Sequence, residues 1–397
     1  MLNVSHIVGF PLGVNGPLQR ALHEAIHVAN KKVNVNFLVS QDTIKNKILE
    51  KSIPEKYKNV LSVYSLKPLI PSGVVGWRFN NFLPLLQEMH KFVNKKNQQI
   101  LHVHAPSPVS RALSSSIIKK KSKCPVVLDL HDPWSGTPFS KSPIILLQTH
   151  IMRVAINNAD LIVTPHRPLF KLINSINHKK PIYLIPNGVD TDSFIQKPRS
   201  PKLIQKLDYD FEDKIVAFSG QIIEEKGLDV LVYAAKIIIK KNPNVKFLVI
   251  GDGPLRSKIQ NMVHKQKVQK YFRFTGFLPI KTFVDYLSLA DICVCPYKPM
   301  SHYKIMQSET PMKVSQYMSV GKPVIMSRIS DENIVSWSGG GILVEPGNPI
   351  KLAEKINYLV QDESIRKKMG ELGRNYVQHN LSWNIIADKL VNLYKKL

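Results

Sequence analysis

The chain of 397 residues is too long for one ordinary domain core and suits two. Its hydrophobic fraction of 44% and charged fraction of 21% exclude a largely disordered protein. Lys and Arg outnumber Asp and Glu by 55 to 29, and the net charge of +26 predicts an anionic partner. Charge alone does not choose among nucleic acid, anionic lipid and phosphorylated small molecules.

Cysteine usage and the absence of targeting signals predict a cytoplasmic protein. The three cysteines, Cys124, Cys293 and Cys295, are too few for a disulfide framework and have the pattern of small buried residues. The sequence has no recognisable secretory signal and no run of about 18 apolar residues that could cross a membrane.

Short apolar runs that predict strands alternate along the chain with amphipathic stretches that predict helices. The first series is Val4–Val8, Asn36–Val39, Leu101–His104, Val126–Leu130, Leu161–Thr164 and Ile182–Ile185. The second series is Ile215–Phe218, Val245–Ile250, Phe272–Phe274, Ile292–Cys295, Pro323–Met326 and Gly341–Val344. Such strands are typical of parallel sheets covered on both faces, so the sequence predicts two doubly wound α/β domains. A polar, proline-bearing linker is predicted near residues 192–201.

Ligands of open parallel sheets bind beyond the carboxyl ends of the strands, so the residues that follow each strand are the site candidates. A glycine loop with Gly13 and Gly16 follows the first strand; it suits a phosphate, but its spacing is not the dinucleotide fingerprint, and a plain loop remains an alternative. His104, His131 and His166 end three strands. His131 is the best candidate, because it stands beside Asp132 in LDLHDPW. Imidazole can donate a hydrogen bond to a sugar hydroxyl near neutral pH.

The three histidines also allow two other interpretations. They could be structural, and a metal site is the weaker interpretation, because the histidines come from separate strands without a further ligand at suitable spacing.

In the second half, Lys226 stands at the mouth of an amphipathic helix, where a point charge and the helix dipole together favour phosphate. The alternative is a solvated lysine. Further along, Ser308 and Glu309 are predicted to lie in a loop, and residues 313–317 on the first turns of the helix that follows. Free N–H groups there can hold phosphates, and polar side chains one turn later can hold hydroxyls.

Seven segments in register resemble the GT-B glycosyltransferases, in particular the large retaining glycosyltransferase family 4. They are IPNGVDTDSF, FSGQIIEEKGLDVL, VIGDGPLR, FTGFL, YLSLADICVCPY, KVSQYMSVGKPVI and GGGILVEPGNP, between Ile185 and Pro349. The resemblance implies two Rossmann-like domains facing a cleft, with a C-terminal helix, anchored by Trp383 and Tyr394, that crosses back to the first domain. The predicted ranges are 1–194 for the acceptor domain, 195–375 for the donor domain and 376–397 for that helix.

The resemblance also implies roles for single residues. Lys226 is similar to the diphosphate-binding lysine of the family, Gly16 to a phosphate-facing glycine, and His131 to the histidine that approaches the transferred sugar. The Phe277–Leu278 backbone matches the nucleobase position. The other residues that we assign to the donor site are Gly13, Gln221, Ser308, Glu309, Met312, Lys313, Val314 and Gln316.

Two departures from the family pattern concern charge. Gln221 stands where the family commonly has arginine, and Ser308 and Gln316 stand where it commonly has two glutamates, with Glu309 one place off register. A charge-assisted hydrogen bond contributes about 1.5–3 kcal/mol, so we expect donor binding to weaken by roughly one to two decades unless Lys313 substitutes for the arginine.

Together these features predict a retaining, metal-independent hexosyltransferase that uses a nucleotide-diphosphate sugar and a glycan or lipid-linked acceptor. A catalytically impaired sugar-nucleotide binder and an epimerase of related fold are alternatives. Nucleic-acid binding is disfavoured because no recognition motif accompanies the charge. The basic, amphipathic segment Trp77–Val93 suits peripheral contact with an anionic membrane surface, or is an ordinary surface helix. The sequence leaves the sugar, the acceptor and the oligomeric state open.

Overall fold

The computed structural model describes residues 2–8, 16–40, 60–66, 90–93, 98–105, 117, 119–120, 123–131, 143–176, 179–299, 311–329 and 333–397. Within these residues the chain forms two compact units. Unit 1 comprises Met1–Asn187 together with Trp383–Leu397, and unit 2 comprises Gly188–Ser382.

The two chain segments that join the units are tied to each other inside unit 2. The Val189 N–H donates to the Leu381 carbonyl oxygen at 2.8 Å, and Val189 forms a parallel bridge with Ser382. The unit limits therefore differ by a few residues from the ranges 1–194, 195–375 and 376–397 that the sequence suggested.

Unit 1 contains a parallel sheet in the order β3-β2-β1-β4-β5-β6-β7. Its strands are β1 (Asn3–Val8), β2 (Asn34–Ser40), β3 (Ser62–Leu66), β4 (Ile100–Ala105), β5 (Val126–Leu130), β6 (Leu161–Thr164) and β7 (Ile182–Leu184). Its helices with described bounds are α1 (Gly16–Ala29), α2 (Pro143–Asn158) and α3 (Arg167–Ile176). The strand order reverses between β1 and β4, which is where sheets of this kind bind ligands.

Unit 2 contains a second parallel sheet, in the order β10-β9-β8-β11-β12-β13, which reverses between β8 and β11. Its strands are β8 (Lys214–Ser219), β9 (Val245–Ile250), β10 (Phe272–Gly276), β11 (Ile292–Cys295), β12 (Val324–Ser327) and β13 (Gly341–Val344). Its helices are α4 (Pro201–Lys206), α5 (Leu228–Lys241), α6 (Arg256–Lys265), α7 (Ile280–Ser288), α8 (Met312–Ser319), α9 (Ile334–Ser338), α10 (Pro349–Gln361) and α11 (Glu363–Asn380).

Both faces of each sheet are buried, which explains the continuous apolar strands. In β8, Ile215 and Ala217 pack into one core cluster, while Val216 and Phe218 pack into another. Because successive side chains of a strand point to opposite faces, a strand covered on both sides can be apolar at every position and need not alternate. The predicted pair of doubly wound parallel-sheet domains is confirmed.

The final helix, α12 (Trp383–Tyr394), belongs to unit 1, as predicted. Both predicted anchors are buried, and the Trp383 ring stacks on His23 of α1 with centroids 5.4 Å apart. The helix therefore completes the core of a unit whose other residues lie almost two hundred positions earlier. Among the helices that the structure describes, none combines the length and apolar character that a membrane span requires.

Candidate functional site

A glycine follows the carboxyl end of each of the neighbouring strands β8 and β9 in unit 2. Gly220 and Gly251 follow these strands directly, with φ angles of +121° and +140°, a range that residues with side chains rarely adopt. A Cβ added to Gly251 would lie 2.1 Å from the Gly220 carbonyl oxygen. Only glycine lets the two strand ends approach so closely, and both half-buried glycines lie at the edge where parallel sheets bind ligands.

Lys226 lies at this edge, at the end of the 3₁₀ turn Glu224–Lys226. The next residue, Gly227, has a φ of +65°, and a Cβ there would lie 1.7 Å from the Pro296 carbonyl oxygen. The turn therefore packs directly on the segment after β11, and the Lys226 ammonium lies 4.9 Å from the centroid of the Tyr297 ring. Burial lowers the pKa of Lys226 from its ordinary value.

Lys313 approaches the same ring from α8. Its ammonium lies 5.8 Å from the Tyr297 centroid and 4.7 Å from the Phe218 centroid, and it donates a hydrogen bond to the Ser219 carbonyl oxygen at 2.6 Å. Burial lowers the pKa of Lys313 to about 8, and the positive charge of Lys226 contributes to the shift. Two partly desolvated ammonium groups thus meet at one aromatic ring, which is a strong electrostatic site for an anion.

Tyr317, which is not among the predicted donor-site residues, fixes the end of β8. Its buried hydroxyl accepts a hydrogen bond from the Ser219 N–H at 2.7 Å and lies 2.8 Å from the Ser219 hydroxyl. The Ser219 carbonyl oxygen also accepts the hydrogen bond from Lys313, so Tyr317 positions the backbone that binds this lysine. Tyr317 lies one turn after Lys313 on α8, a spacing that could have suggested a shared target.

The remaining predicted donor residues of unit 2 differ in exposure. Phe277 is 79% exposed and follows β10, as a nucleobase-binding backbone would require, and Leu278 is half-buried. Gln221 is exposed, Met312 and Gln316 are half-buried, and the Val314 side chain is wholly enclosed in the core. The Val314 N–H donates to the Pro311 carbonyl oxygen at 2.9 Å.

Three of the predicted residues, Gly13, Ser308 and Glu309, lie outside the described residues. Gly16 is the first residue of α1, and the switch-point strand β1 precedes it along the chain. Its position at a helix N-terminus is the one that phosphate binding by a glycine loop requires.

Unit 1 holds a buried group of histidines and charges at its own switch point. His104, next to last in β4, lies beside its register partner Asp129 of β5, and His131 follows β5 on the same face as Asp129. Nε2 of His131 lies 3.1 Å from Nδ1 of His104 and 3.5 Å from Oδ2 of Asp129. The structure thus brings together two of the histidines that the sequence singled out.

The third histidine, His166, lies near the same group. Burial, together with the nearby charge of Arg20, lowers the pKa of His166 to about 3, so the ring is neutral. All three strand-end histidines are enclosed by protein rather than exposed along an open edge.

Arg20 of α1 supplies the positive charge of this interior. Its Nε donates to Oδ2 of Asp129 at 3.1 Å, and its Nη2 lies 2.9 Å from Oε1 of Glu24. Burial alone would raise the pKa of Asp129, but the Arg20 charge and the histidine N–H groups hold it well below its ordinary value. Burial raises the pKa of Glu24 well above its ordinary value, and the nearby Asp129 carboxylate adds to this. The group therefore contains one ionised carboxylate, that of Asp129, and the Arg20 guanidinium balances its charge.

Two sets of side chains here have ligand atoms close enough to share a metal ion. The sets are His6, Glu24, His102 and His104, and His104, Asp129 and His131. In the first set the His102 and His104 rings stack at 8°, so their in-plane lone pairs run side by side and do not converge on one point. In the second set the Asp129 oxygen is already neutralised by Arg20. We interpret both sets as a hydrogen-bonded network.

Sequence reasoning missed most of this network, namely Arg20, Glu24, His6, His102 and Asp129. The alternation LHVHA, which puts His102 and His104 on one face of a strand, was the available signal. LDLHD does the same for Asp129 and His131.

Comparison with known proteins gives two family matches that follow one another along the chain. The family described as Glycosyltransferase Family 4 matches residues 23–193, and the family described as Glycosyl transferases group 1 matches residues 200–376. The boundary between the two matches falls close to the boundary between the two units.

Individual relatives are distant but similar over most of their length. An uncharacterized glycosyltransferase of Methanocaldococcus jannaschii is 25% identical over 343 residues, which is 86% of each chain. The GDP-mannose-dependent monoacylated alpha-(1-6)-phosphatidylinositol monomannoside mannosyltransferase of Corynebacterium glutamicum is 22% identical over 343 residues, 85% of this chain and 87% of that protein. The structure of Anabaena HepE in complex with UDP has a TM-score of 0.74 at 16% identity, with both chains fully covered.

Proposed function

Because this chain belongs to the GT-B glycosyltransferases of family 4, we propose that it moves a hexosyl group from a nucleotide-diphosphate sugar to a glycan or lipid-linked acceptor with retention of configuration. The observation that carries this proposal is the pair formed by Lys226 and Lys313 around Tyr297, at the switch point of unit 2. A sugar nucleotide is the anion that suits such a pair, since its diphosphate carries the charge that two ammonium groups complement.

The reaction breaks the bond between the anomeric carbon and the diphosphate oxygen. A bond forms between that carbon and an acceptor hydroxyl oxygen, whose proton passes to the departing phosphate. Retention follows if the acceptor attacks the face that the phosphate leaves, so we assign no protein nucleophile. Lys226 and Lys313 stabilise the charge that develops on the diphosphate, and their partial burial strengthens this interaction. The proposed chemistry needs no metal, because these cations supply the charge.

Lys313 replaces the arginine that the family commonly has at the position of Gln221. Its ammonium lies 2.6 Å from the Ser219 carbonyl oxygen, two residues before Gln221, so the positive charge is retained at the end of β8. Donor binding then needs no side chain from Gln221, which is consistent with the exposure of that residue.

Unit 1 is proposed to bind the acceptor and to supply His131 to the transferred sugar. A lipid-linked acceptor is supported by the name of the mannosyltransferase of Corynebacterium glutamicum, which acts on a phosphatidylinositol mannoside. With a net charge of +26, the protein is proposed to work in the cytoplasm, in peripheral contact with an anionic membrane surface. Flotation with liposomes that contain phosphatidylglycerol tests this contact; absence of binding at low salt would exclude it.

The donor assignment is tested by incubating the protein with a panel of nucleotide sugars and measuring the release of free nucleotide. We expect Lys226→Ala to abolish donor hydrolysis and transfer. Lys236→Ala is the matched control, because Lys236 lies on the exposed side of α5 only ten residues later and should leave turnover unchanged. Unchanged turnover in Lys226→Ala would refute the assignment.

A second candidate is a relative that binds sugar nucleotides without turning them over. Gln221 and Gln316 favour it, because both are neutral amides where the family commonly has charged side chains. Binding of a sugar nucleotide by calorimetry, with no nucleotide released over many hours, would support this candidate against the enzyme.

A further inference from the structure

A chain of polar contacts leads from His131 into the interior of unit 1. Nε2 of His131 lies 3.1 Å from Nδ1 of His104, and Nε2 of His104 lies 3.0 Å from Nδ1 of His6. Nε2 of His6 in turn lies 3.4 Å from the hydroxyl oxygen of Tyr394 on α12. Each contact is a hydrogen bond only if one of its two atoms is a donor and the other an acceptor.

Asp129 closes this chain into a ring. The Tyr394 hydroxyl lies 2.5 Å from Nδ1 of His102, and Nε2 of His102 lies 3.5 Å from Oδ2 of Asp129. The same carboxylate oxygen lies 3.5 Å from Nε2 of His131, where the chain began. We call these six residues the histidine circuit: His6, His102, His104, Asp129, His131 and Tyr394.

The protonation of the inner members is fixed by burial and charge. Burial lowers the pKa of three histidines, so each is neutral at pH 7 and carries one ring proton; these are His6, His102 and His104. Burial raises the pKa of Tyr394 well above its ordinary value, so the phenol keeps its proton. Asp129 is ionised, and an ionised carboxylate can only accept hydrogen bonds.

The ionised carboxylate of Asp129 determines which atom donates and which accepts in the first hydrogen bonds of the circuit. Nε2 of His102 must carry the proton that faces Asp129, so its Nδ1 is an acceptor for the Tyr394 hydroxyl. The oxygen of Tyr394 then accepts the Nε2–H of His6, because a hydroxyl both donates and accepts.

The second half of the circuit follows the same rule. Since the proton of His6 is on Nε2, its Nδ1 accepts the Nε2–H of His104. The Nδ1 of His104 then accepts from His131, which must carry a proton on Nε2. That proton also lies beside the Asp129 carboxylate.

The opposite direction is disfavoured at Asp129. With every donor and acceptor exchanged, the Nε2 lone pairs of His102 and His131 would face the carboxylate at 3.5 Å. The one histidine N–H group of the circuit facing it would then be Nδ1–H of His104, at 3.6 Å. The direction derived above gives the carboxylate two N–H groups and one lone pair. In a buried site, where electrostatic interactions are weakly screened, this difference decides the direction.

We propose that the histidine circuit fixes the tautomer of His131, with the ring proton on Nε2 and the lone pair on Nδ1. Asp129, His102 and Tyr394 are thereby positioning residues for His131. The sequence alone predicts that this imidazole donates to a sugar hydroxyl; the circuit makes the sugar hydroxyl the donor. This consequence for the sugar rests on the proposed function, whereas the tautomer does not.

The tautomer can be observed directly in protein labelled with ¹⁵N at histidine. Two-bond ¹H–¹⁵N correlation spectra distinguish the two neutral tautomers, and the signals that disappear in His131→Gln assign His131. We expect the Nε2–H pattern for His131 in the unaltered protein at pH 7.5. A mixture of tautomers is expected in Tyr394→Phe, since phenylalanine neither donates to His102 nor accepts from His6.

Tyr209→Phe is the matched control. Tyr209 is a buried tyrosine of unit 2 whose hydroxyl donates to the Phe247 carbonyl oxygen at 2.9 Å, and its loss should leave the histidine signals unchanged. The proposal is overturned by an Nδ1–H pattern in the unaltered protein, or by an unchanged His131 signal in folded Tyr394→Phe. Stoichiometric bound zinc would also overturn it, because a metal would take the lone pairs that the circuit uses. The unaltered protein tests the tautomer even if a variant fails to fold.

Turnover of the same samples separates this proposal from the proposed function. We expect Tyr394→Phe to lower kcat by about three- to tenfold with little change in the donor KM, the effect of weakening one hydrogen bond. If the spectra agree with the circuit but kcat is unchanged in both Tyr394→Phe and His131→Gln, the contact between His131 and the sugar is refuted and the tautomer stands.

Discussion

Replacing Lys313 by methionine should make the unliganded protein more stable at pH 7. Burial lowers the pKa of this ammonium from 10.5 to about 8. At 1.36 kcal/mol for each pKa unit, holding the proton in the folded state costs about 3 kcal/mol at neutral pH. Loss of the hydrogen bond to the Ser219 carbonyl oxygen lowers the stability of the variant by about 1–1.5 kcal/mol. The net expected gain is about 2 kcal/mol, because the flexible thioether can fill the space beside Phe218 and Tyr297.

The pH dependence of this gain follows from the same shift. In the folded protein Lys313 loses its proton near pH 8, whereas in the unfolded chain it keeps the proton to about pH 10.5. Between these values the unfolded chain binds more protons, so the stability of the unaltered protein rises with pH. The advantage of Lys313→Met should therefore be largest below pH 8 and fall by about 3 kcal/mol towards pH 10.5.

Urea unfolding followed by circular dichroism at pH 7, 8, 9 and 10 measures this difference. Lys236→Met is the matched control, because Lys236 is exposed and its removal should change stability little at any pH. A Lys313→Met variant that is less stable than the unaltered protein at pH 7, or a stability difference that does not depend on pH, would contradict the cost of burying this charge. The same variant should bind sugar nucleotides about tenfold or more weakly if the donor proposal holds.

Two further variants test the interiors that hold the candidate sites. Arg20→Leu leaves the Asp129 carboxylate buried without its cation and should cost about 3–5 kcal/mol in the free energy of unfolding, part of which Arg20→Leu with Asp129→Leu should recover. Equal stability of the single variant and the unaltered protein would contradict the ion pair. Gly251→Ala places a Cβ 2.1 Å from the Gly220 carbonyl oxygen and should lower both thermal stability and donor affinity, whereas Gly339→Ala, whose Cβ would meet its nearest neighbour at 3.5 Å, should cost less. A similar loss in both glycine variants would refute the role of close approach.

The strands of unit 2 could be predicted from the sequence because burial on both faces makes each of them continuously apolar. β9 and β11 begin and end where the apolar runs do, at Val245–Ile250 and Ile292–Cys295. β3 (Ser62–Leu66) was not predicted: Ser62 and Val63 are exposed, so this edge strand lacks the apolar signal. An apolar run reveals a strand only where the side chains are buried, and an edge strand buries fewer of them.

Lys226 and Lys313 could be found because each stands at a helix start after a strand, which is a local feature. Their common partner, Tyr297, could not be found, since it follows β11 and meets the lysines only through the order of the sheet. The histidine circuit was out of reach for the same reason. It joins residues as distant as His6 and Tyr394 through strand register and helix packing, which no local window contains.

The division of unit 1 into two segments has a consequence for biosynthesis. During translation all of Gly188–Ser382 is made before Trp383–Leu397, so unit 2 can fold while unit 1 still lacks α12. Until the last helix arrives, the apolar face of α1 and the buried histidines remain open to water. The nascent chain therefore carries an incomplete first domain for the whole time that the second is synthesised, and Trp383–Leu397 then completes its core.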